Sequence, residues 1–307
     1  PSKKTLLEDA AILNLPKKCK MAFTTDSFVV DPLEFPGGNI GKLAACGTIN
    51  DLAMMGAIPK YLSVSLILEE GLDTEVLIRA LTSLKNICSE SGVEISCGDT
   101  KVVNHRKADK IFITTTGIGF VKEDTNISVT RACAGDAVLV SGPIGLHGIT
   151  ILAYRKNLTF ASQAVSDCAP LNEIVKNLLD KVPQAKTLRD ATRGGCASVL
   201  NEIAIASNTT ILLKEESIPI PEVVKGACSY LGMDPLQIAN EGRFVSIVPR
   251  DYAQKSLKVI QEHSLGQGAA IIGEVIPKRD FPVIIETSIG GKRVVENPPG
   301  ELLPRIC

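Results

Sequence analysis

Four aspartates in the first hundred residues have the chemistry to hold a hard cation: Asp26 in "TTDSF", Asp31 in "VVDP", Asp51 in "TINDLA" and Asp99 in "SCGDTKVV". Carboxylates gathered at one cleft suit Mg2+, which takes oxygen ligands and commonly bridges protein to nucleotide phosphates. Taken singly, each serves as readily as a cap or turn residue. Lys101, directly after "GDT", can stabilise developing negative charge, and Glu241 in "ANEGR" can take a proton. "RDATRGG", residues 189–195, sets two glycines ahead of the small-residue helix "CASVLNEIA", a helix start whose free N–H groups can hold an anion. His105, His147 and His263 are too scattered for a local metal motif and read as structural or surface residues.

The other reactive group is at the far end. "ENPPGELLPRIC" places Cys307 last, after Pro298, Pro299 and Pro304. Proline fixes φ and lacks a donor, so this stretch reads as an extended, poorly hydrogen-bonded arm. Its ten residues could carry the thiol roughly 30 Å at the polyproline rise. The thiol's ordinary pKa of about 8.5 leaves it mostly protonated at neutral pH unless Arg305 or a partner's site lowers it, with the terminal carboxylate working the other way.

Several familiar signatures are absent. "PGGNIGK" is not a Walker motif, because only three residues separate Gly37 from Gly41 and Leu43 stands where a Ser or Thr should meet the metal. "GIGFVK" and "GPIGLHG" fail the dinucleotide fingerprint. The nine cysteines contain no CxxC pair, and their odd number argues against a full disulfide framework; reduced thiols inside apolar runs fit a cytoplasmic protein. A net charge of -1, from 33 basic and 34 acidic residues, leaves no footprint for nucleic acid or an anionic membrane. No apolar stretch reaches the length of a membrane span.

Mixed α/β elements must position these groups. "MAFTTDSFVV", "YLSVSLIL", "VEISC" and "IFITTTGIGF" read as strands, and "GGNIGKLAACGTINDLAMMGA" as a tightly packed helix. Asp73 caps a helix in which Val76, Leu77, Ala80, Leu81, Leu84 and Ile87 recur at helical spacing until Gly92. The pattern restarts near "RACAGDAVLVSG", with helices at 147–156, 170–181, 195–207 and 251–262 and strands at 243–248, 269–276 and 282–286. With 307 residues, 45% of them hydrophobic, two domains are expected. Their expected bounds are 1–130 and 131–297, followed by a tail at 298–307. Alternating apolar residues in "YLSVSLIL" would leave an adhesive edge in a monomer, so a homodimer is expected.

Taken together, "FTTDSFVVDPLEFPGGNIGKLAACGTINDLAMMGAIPKYLS", "GDTKVV", "RDATRGG", "ANEG" and the terminal "LPRIC" resemble the HypE family, carbamoyl dehydratases of [NiFe]-hydrogenase maturation. The resemblance runs from about residue 20 to Cys307. The aspartates and "RDATRGG" are similar to the wider aminoimidazole ribonucleotide synthetase group, and "PRIC" is what singles out this family. It implies a two-domain PurM-like fold, in which the N-terminal domain pairs into a dimeric β-barrel beside a C-terminal α/β sandwich. It also implies ATP-dependent dehydration of an S-carboxamide on Cys307 to a thiocyanate. By matching positions, Asp26, Asp51 and Asp99 would bind Mg2+ and the ATP phosphates, with Asn50 beside the nucleotide; Lys101 would steady the phosphorylated amide and Glu241 would be the base. The implied partners are the carbamoyltransferase HypF and the cyanide-accepting HypC–HypD complex. Family members begin with a glycine-rich "GSGG"-type segment that closes over the nucleotide. The sequence starts at "PSKKTLLEDA", either as a truncated piece or without the family's N-terminus, so the resemblance leaves tight ATP binding open while implying an intact fold. Another synthetase or kinase of the superfamily, or a thiol carrier without chemistry, are the alternatives.

Overall fold

The computed structural model describes residues 11–14, 20–158, 163–298, 300 and 305–307. Its first half comprises β1 (Ala11–Asn14), β2 (Lys20–Phe28), the short β3 (Glu34–Phe35) and β4 (Gly38–Asn39), and α1 (Ile40–Met54). β5 (Ala57–Glu69), α2 (Thr74–Glu90), β6 (Glu94–Val103) and β7 (Ile111–Val121) follow. Five strands form one sheet in the order β1-β2-β7-β5-β6. Only β5 and β6 run parallel, and α2 is the crossover such a pair needs. Asp73 caps α2, accepting the Glu75 N–H at 2.8 Å.

α1 is buried on nearly every side; only Lys42 and Asp51 escape burial. It lies on β2, β5 and β7, against α2, and meets the second half of the chain behind. Small residues permit that packing. A Cβ on Gly41 would come within 1.8 Å of the Ala80 carbonyl oxygen, so α1 and α2 touch at backbone distance there.

The second half contains β8 (Ala137–Val140), α3 (Leu146–Arg155), α4 (Asn172–Lys181), β9 (Thr187–Asp190), α5 (Gly195–Ser207) and β10 (Thr210–Lys214). It continues with α6 (Glu222–Leu231), β11 (Phe244–Val248), α7 (Ala253–Gln261), β12 (Ala270–Ile276), β13 (Val283–Glu286) and β14 (Lys292–Val294). The seven strands run β14-β13-β10-β12-β8-β11-β9, with β10–β13 the one parallel pair. Alternate residues of β8 and β11 enter two cores. Val138, Val140, Val245 and Ile247 pack with Leu200 and Ile203 of α5, whereas Leu139, Phe244 and Val248 pack with Leu178 of α4 and Ile260 of α7. Covered on both faces, β8 is a continuous apolar run and β11 is broken only by the buried Ser246. Val129 and Ala132 already belong to the first of these cores.

The first sheet is covered on one side only. Phe23, Tyr61 and Ile67 remain between 38% and 42% exposed, and every residue of β6 from Glu94 to Val102 is exposed. Among the described residues, no helix is long and apolar enough to cross a membrane. The eight described cysteines are free thiols.

Candidate active site

Asp26 lies near the end of β2 and is reached by the turn that opens α5. That turn needs its glycines: Gly194 and Gly195 have φ of +74° and +61°, and a Cβ on Gly195 would fall 2.5 Å from the Leu236 and Ile238 carbonyl oxygens. Gly194 caps the helix without any side-chain hydrogen bond. Arg193, just before it, turns its guanidinium toward the first half of the chain. Its Nη2 lies 3.6 Å from Asp26 Oδ1, and its Nε donates to Cys307 Sγ at 3.3 Å. Three sequence-distant groups, Asp26, Arg193 and Cys307, therefore meet.

Glu241 is close enough to Arg193 and Cys307 to act on both by charge. It is 2% exposed, and its Oε1 has no hydrogen-bond partner. Burial, reinforced by the neighbouring acidic groups Cys168, Asp190, Asp167 and Asp26, holds its pKa well above the usual carboxylate range. The loop bearing it is pinned by Asp167, which accepts the N–H groups of Glu241 at 3.3 Å and Gly242 at 3.1 Å. Asn50, on α1, fastens the other side. Its Nδ2 donates to the Ala169 and Glu241 carbonyls at 3.2 and 3.4 Å, and its Oδ1 accepts the Leu171 N–H at 2.7 Å.

The neighbouring acids are shifted in the same direction. Burial raises Asp26, although the Ser27 N–H and Arg193 oppose it. Burial pushes Asp190, at the end of β9, up to about 6. The Cys307 thiol is raised as well, by burial first and then by Glu241, with Arg193 pulling the other way. Arg305 is not the cation beside this thiol: its Nε pairs with Asp109 at 3.1 Å, and Arg193 takes that place.

Asp51 accepts the Thr24 hydroxyl at 2.8 Å, on the face of α1 turned to β2. Asp99 and Lys101 are elsewhere within one chain. Both are exposed on edge strand β6, three strands from β2, or about 14 Å at the usual strand spacing. Asp31 is exposed on the loop after β2. Among the described residues, no group of three His, Cys, Asp or Glu side chains could form a metal cage. Magnesium seldom needs one, since one or two carboxylates with phosphate and water oxygens suffice. Asp26, a half-buried carboxylate whose charge is penalised by burial, fits that kind of site.

Residues 7–121 match the family AIR synthase related protein, N-terminal domain, and residues 134–286 match its C-terminal domain. These matches define the class. Carbamoyl dehydratase HypE of Escherichia coli K12 is 46% identical over 304 residues, covering 98% of this chain and 90% of that protein. A crystal structure of the hydrogenase maturation protein HypE in complex with ATP is 46% identical, with a TM-score of 0.91 over 98% of this chain and 90% of the other. HypE from a HypE–HypF complex gives 46% identity and a TM-score of 0.90 over 95% and 94%. The chain belongs to the HypE family of AIR synthase related proteins.

In the sequence "RDATRGG" stands out for its glycines rather than for Arg193, the residue that reaches Cys307. Asp167 and His147 also carried no local signal, because their partners are 74 and 159 residues away.

Proposed function

We propose that this chain is an ATP-dependent carbamoyl dehydratase of hydrogenase maturation, acting on an S-carboxamide carried by its own Cys307. The supporting observation is the Arg193 guanidinium on the Cys307 sulfur, together with the buried, unpartnered Oε1 of Glu241, a carboxyl close enough to act on that thiol by charge. An S-carboxamide has two N–H groups to donate, and a buried carboxyl oxygen without a donor is what such a group would meet. A carboxylate formed in that setting is a stronger base than one in water, which suits removal of amide protons. Arg193 can hold the sulfur in place and offset negative charge gathering on the amide oxygen.

The overall change replaces S–C(=O)–NH2 by S–C≡N: the amide oxygen departs as phosphate and nitrogen loses both protons. ATP supplies the phosphoryl group that makes this oxygen a good leaving group. Mg2+ would be held at Asp26 and Asp51 through the nucleotide, with the α5 start available to phosphate oxygens. Asp99 and Lys101 join in our reading through a homodimer. The exposed β6 edge and uncovered sheet face pair with a second copy in a β-barrel, and the partner subunit's Lys101 steadies the phosphorylated amide. We assign residues 1–130 to the nucleotide and dimer domain, 131–297 to the α/β sandwich and 298–307 to the substrate tail. HypF would load the carboxamide, and a HypC–HypD complex would take the cyanide.

The test is phosphate release from ATP and Mg2+ by protein that has or has not been carbamoylated. Release only from the carbamoylated form, and none after Cys307→Ser, is the expected result. Equal release from both forms would favour a small-molecule kinase or synthetase, and none from either a thiol carrier.

A further inference from the structure

Cys307 is held at this site by a contact that the chemistry above does not use. His147, on α3, is fully buried with its ring edge-on to Phe35, centroids 5.4 Å apart. Both nitrogens are engaged: Nε2 is 2.9 Å from the Ile306 carbonyl oxygen and Nδ1 is 2.8 Å from Ser166 Oγ. A carbonyl only accepts, so Nε2 carries the proton and Nδ1 of the neutral ring must accept. Ser166 suits that demand. Its hydroxyl donates to Nδ1 while its oxygen accepts the Cys168 N–H at 3.1 Å, so one tautomer satisfies every atom. Burial lowers the His147 pKa and Arg155 acts in the same direction, against the Ile306 carbonyl and Asp167, which keeps the ring in that neutral form.

The carbonyl gripped belongs to the last peptide bond, directly before the thiol. Ile306 is 2% exposed and joins the core that contains Ile151, Cys168 and Ala239. One residue earlier, the Asp31 N–H donates to the Arg305 carbonyl at 3.2 Å, and Arg155 donates to the carbonyls of both Asp31 and Arg305. Arg305 itself has φ of +56°, a conformation that L-residues resist, so the seated tail is held against a local backbone cost. Release of the grip would let the thiol leave.

We propose that His147, oriented by Ser166, is a latch on the tail: a positioning residue that sets how much of the time Cys307 sits at Glu241 and how much it is free for modification. The latch rests on the reading of Cys307 as a tethered substrate. Loading needs the thiol outside, in another protein's site, and dehydration needs it inside. One buried hydrogen bond gives an energy difference large enough to govern that balance without making it irreversible.

The experiment is timed alkylation of the whole protein with iodoacetamide, each cysteine followed by peptide mass spectrometry. Exposed Cys133, outside the sheet that pairs with the second copy, serves as the reference for reagent access, and buried Cys46 and Cys196 report unfolding. His147→Leu should speed Cys307 labelling about tenfold, the factor one lost buried hydrogen bond implies, with Cys133 unchanged. Ser166→Ala, a smaller change that still permits folding if the leucine variant unfolds, should speed it by a few-fold. His147→Gln, which keeps an N–H donor, should restore most of the protection. In the carbamoylated protein, His147→Leu should slow ATP-dependent water loss while HypF-dependent loading quickens, a split that general damage would not produce. Equal Cys307 labelling in wild type and folded Ser166→Ala and His147→Leu proteins would overturn the latch, even if wild type dehydrates its tail normally. A labelling difference without any water loss in wild type would leave the latch standing and remove the functional reading instead.

Discussion

In the proposed function, Glu241 is a residue whose burial serves chemistry at the expense of stability. The folded protein holds its proton more tightly than the unfolded chain does, so the stabilising effect is complete below the ordinary glutamate range and is lost as pH rises through the raised value. Asp190 behaves alike, between its ordinary value and about 6. Glu241→Gln should therefore raise the melting temperature at neutral pH and flatten its decline with rising pH, while lowering tail-dependent ATP turnover by about a hundredfold or more, as loss of a general base does. Thermal unfolding from pH 5 to 8 beside a phosphate-release assay measures both. Lower stability together with full turnover would make Glu241 a structural residue. The type and position of this residue were readable from "ANEGR" through the family resemblance, but its orphaned carboxyl was not. That property depends on Cys168, Asp190 and Asp26, which approach only in the folded chain. The three histidines illustrate the same limit. Scattered spacing excluded a local metal motif, and nothing near His147 in sequence discloses Ile306 as its partner.

At the scale of elements, α1 decides whether the proposed site can form, because it carries Asn50 and Asp51 and separates the first sheet from the second half of the chain. Its backbone contact with α2 makes Gly41 hard to replace. Gly41→Val should cost about 3 kcal/mol or more, since the clash is with the Ala80 carbonyl oxygen and not with a side chain that could move aside. A urea midpoint close to wild type, with an unchanged slope, would contradict that packing. The small-residue run of α1, the Asp73 cap of α2 and the β-branched strands β2, β5 and β7 were all legible, because each states its structure locally. The strands Thr187–Asp190 and Thr210–Lys214 were not predicted, nor was the helix Glu222–Leu231. Four or five residues carry too little periodicity to register, and Pro219 and Pro221 mask the start of that helix by reading as a loop.

For the whole molecule, the proposed homodimer rests on the uncovered sheet face and the exposed β6 edge. Light scattering at micromolar concentration should give a dimer, and Tyr61→Asp combined with Ile67→Lys should give a folded monomer with little ATP turnover. A monomeric wild type would remove both the barrel and the route by which Lys101 reaches the site. The central claim is that the end of this chain is the substrate of its own folded domains. It is tested most directly by adding ATP and Mg2+ to carbamoylated protein and weighing the C-terminal peptide. The account predicts that this peptide loses the mass of one water, that the change maps to Cys307, and that Cys307→Ser shows none. Water loss at any other cysteine, or undiminished loss in the Cys307→Ser protein, would contradict it.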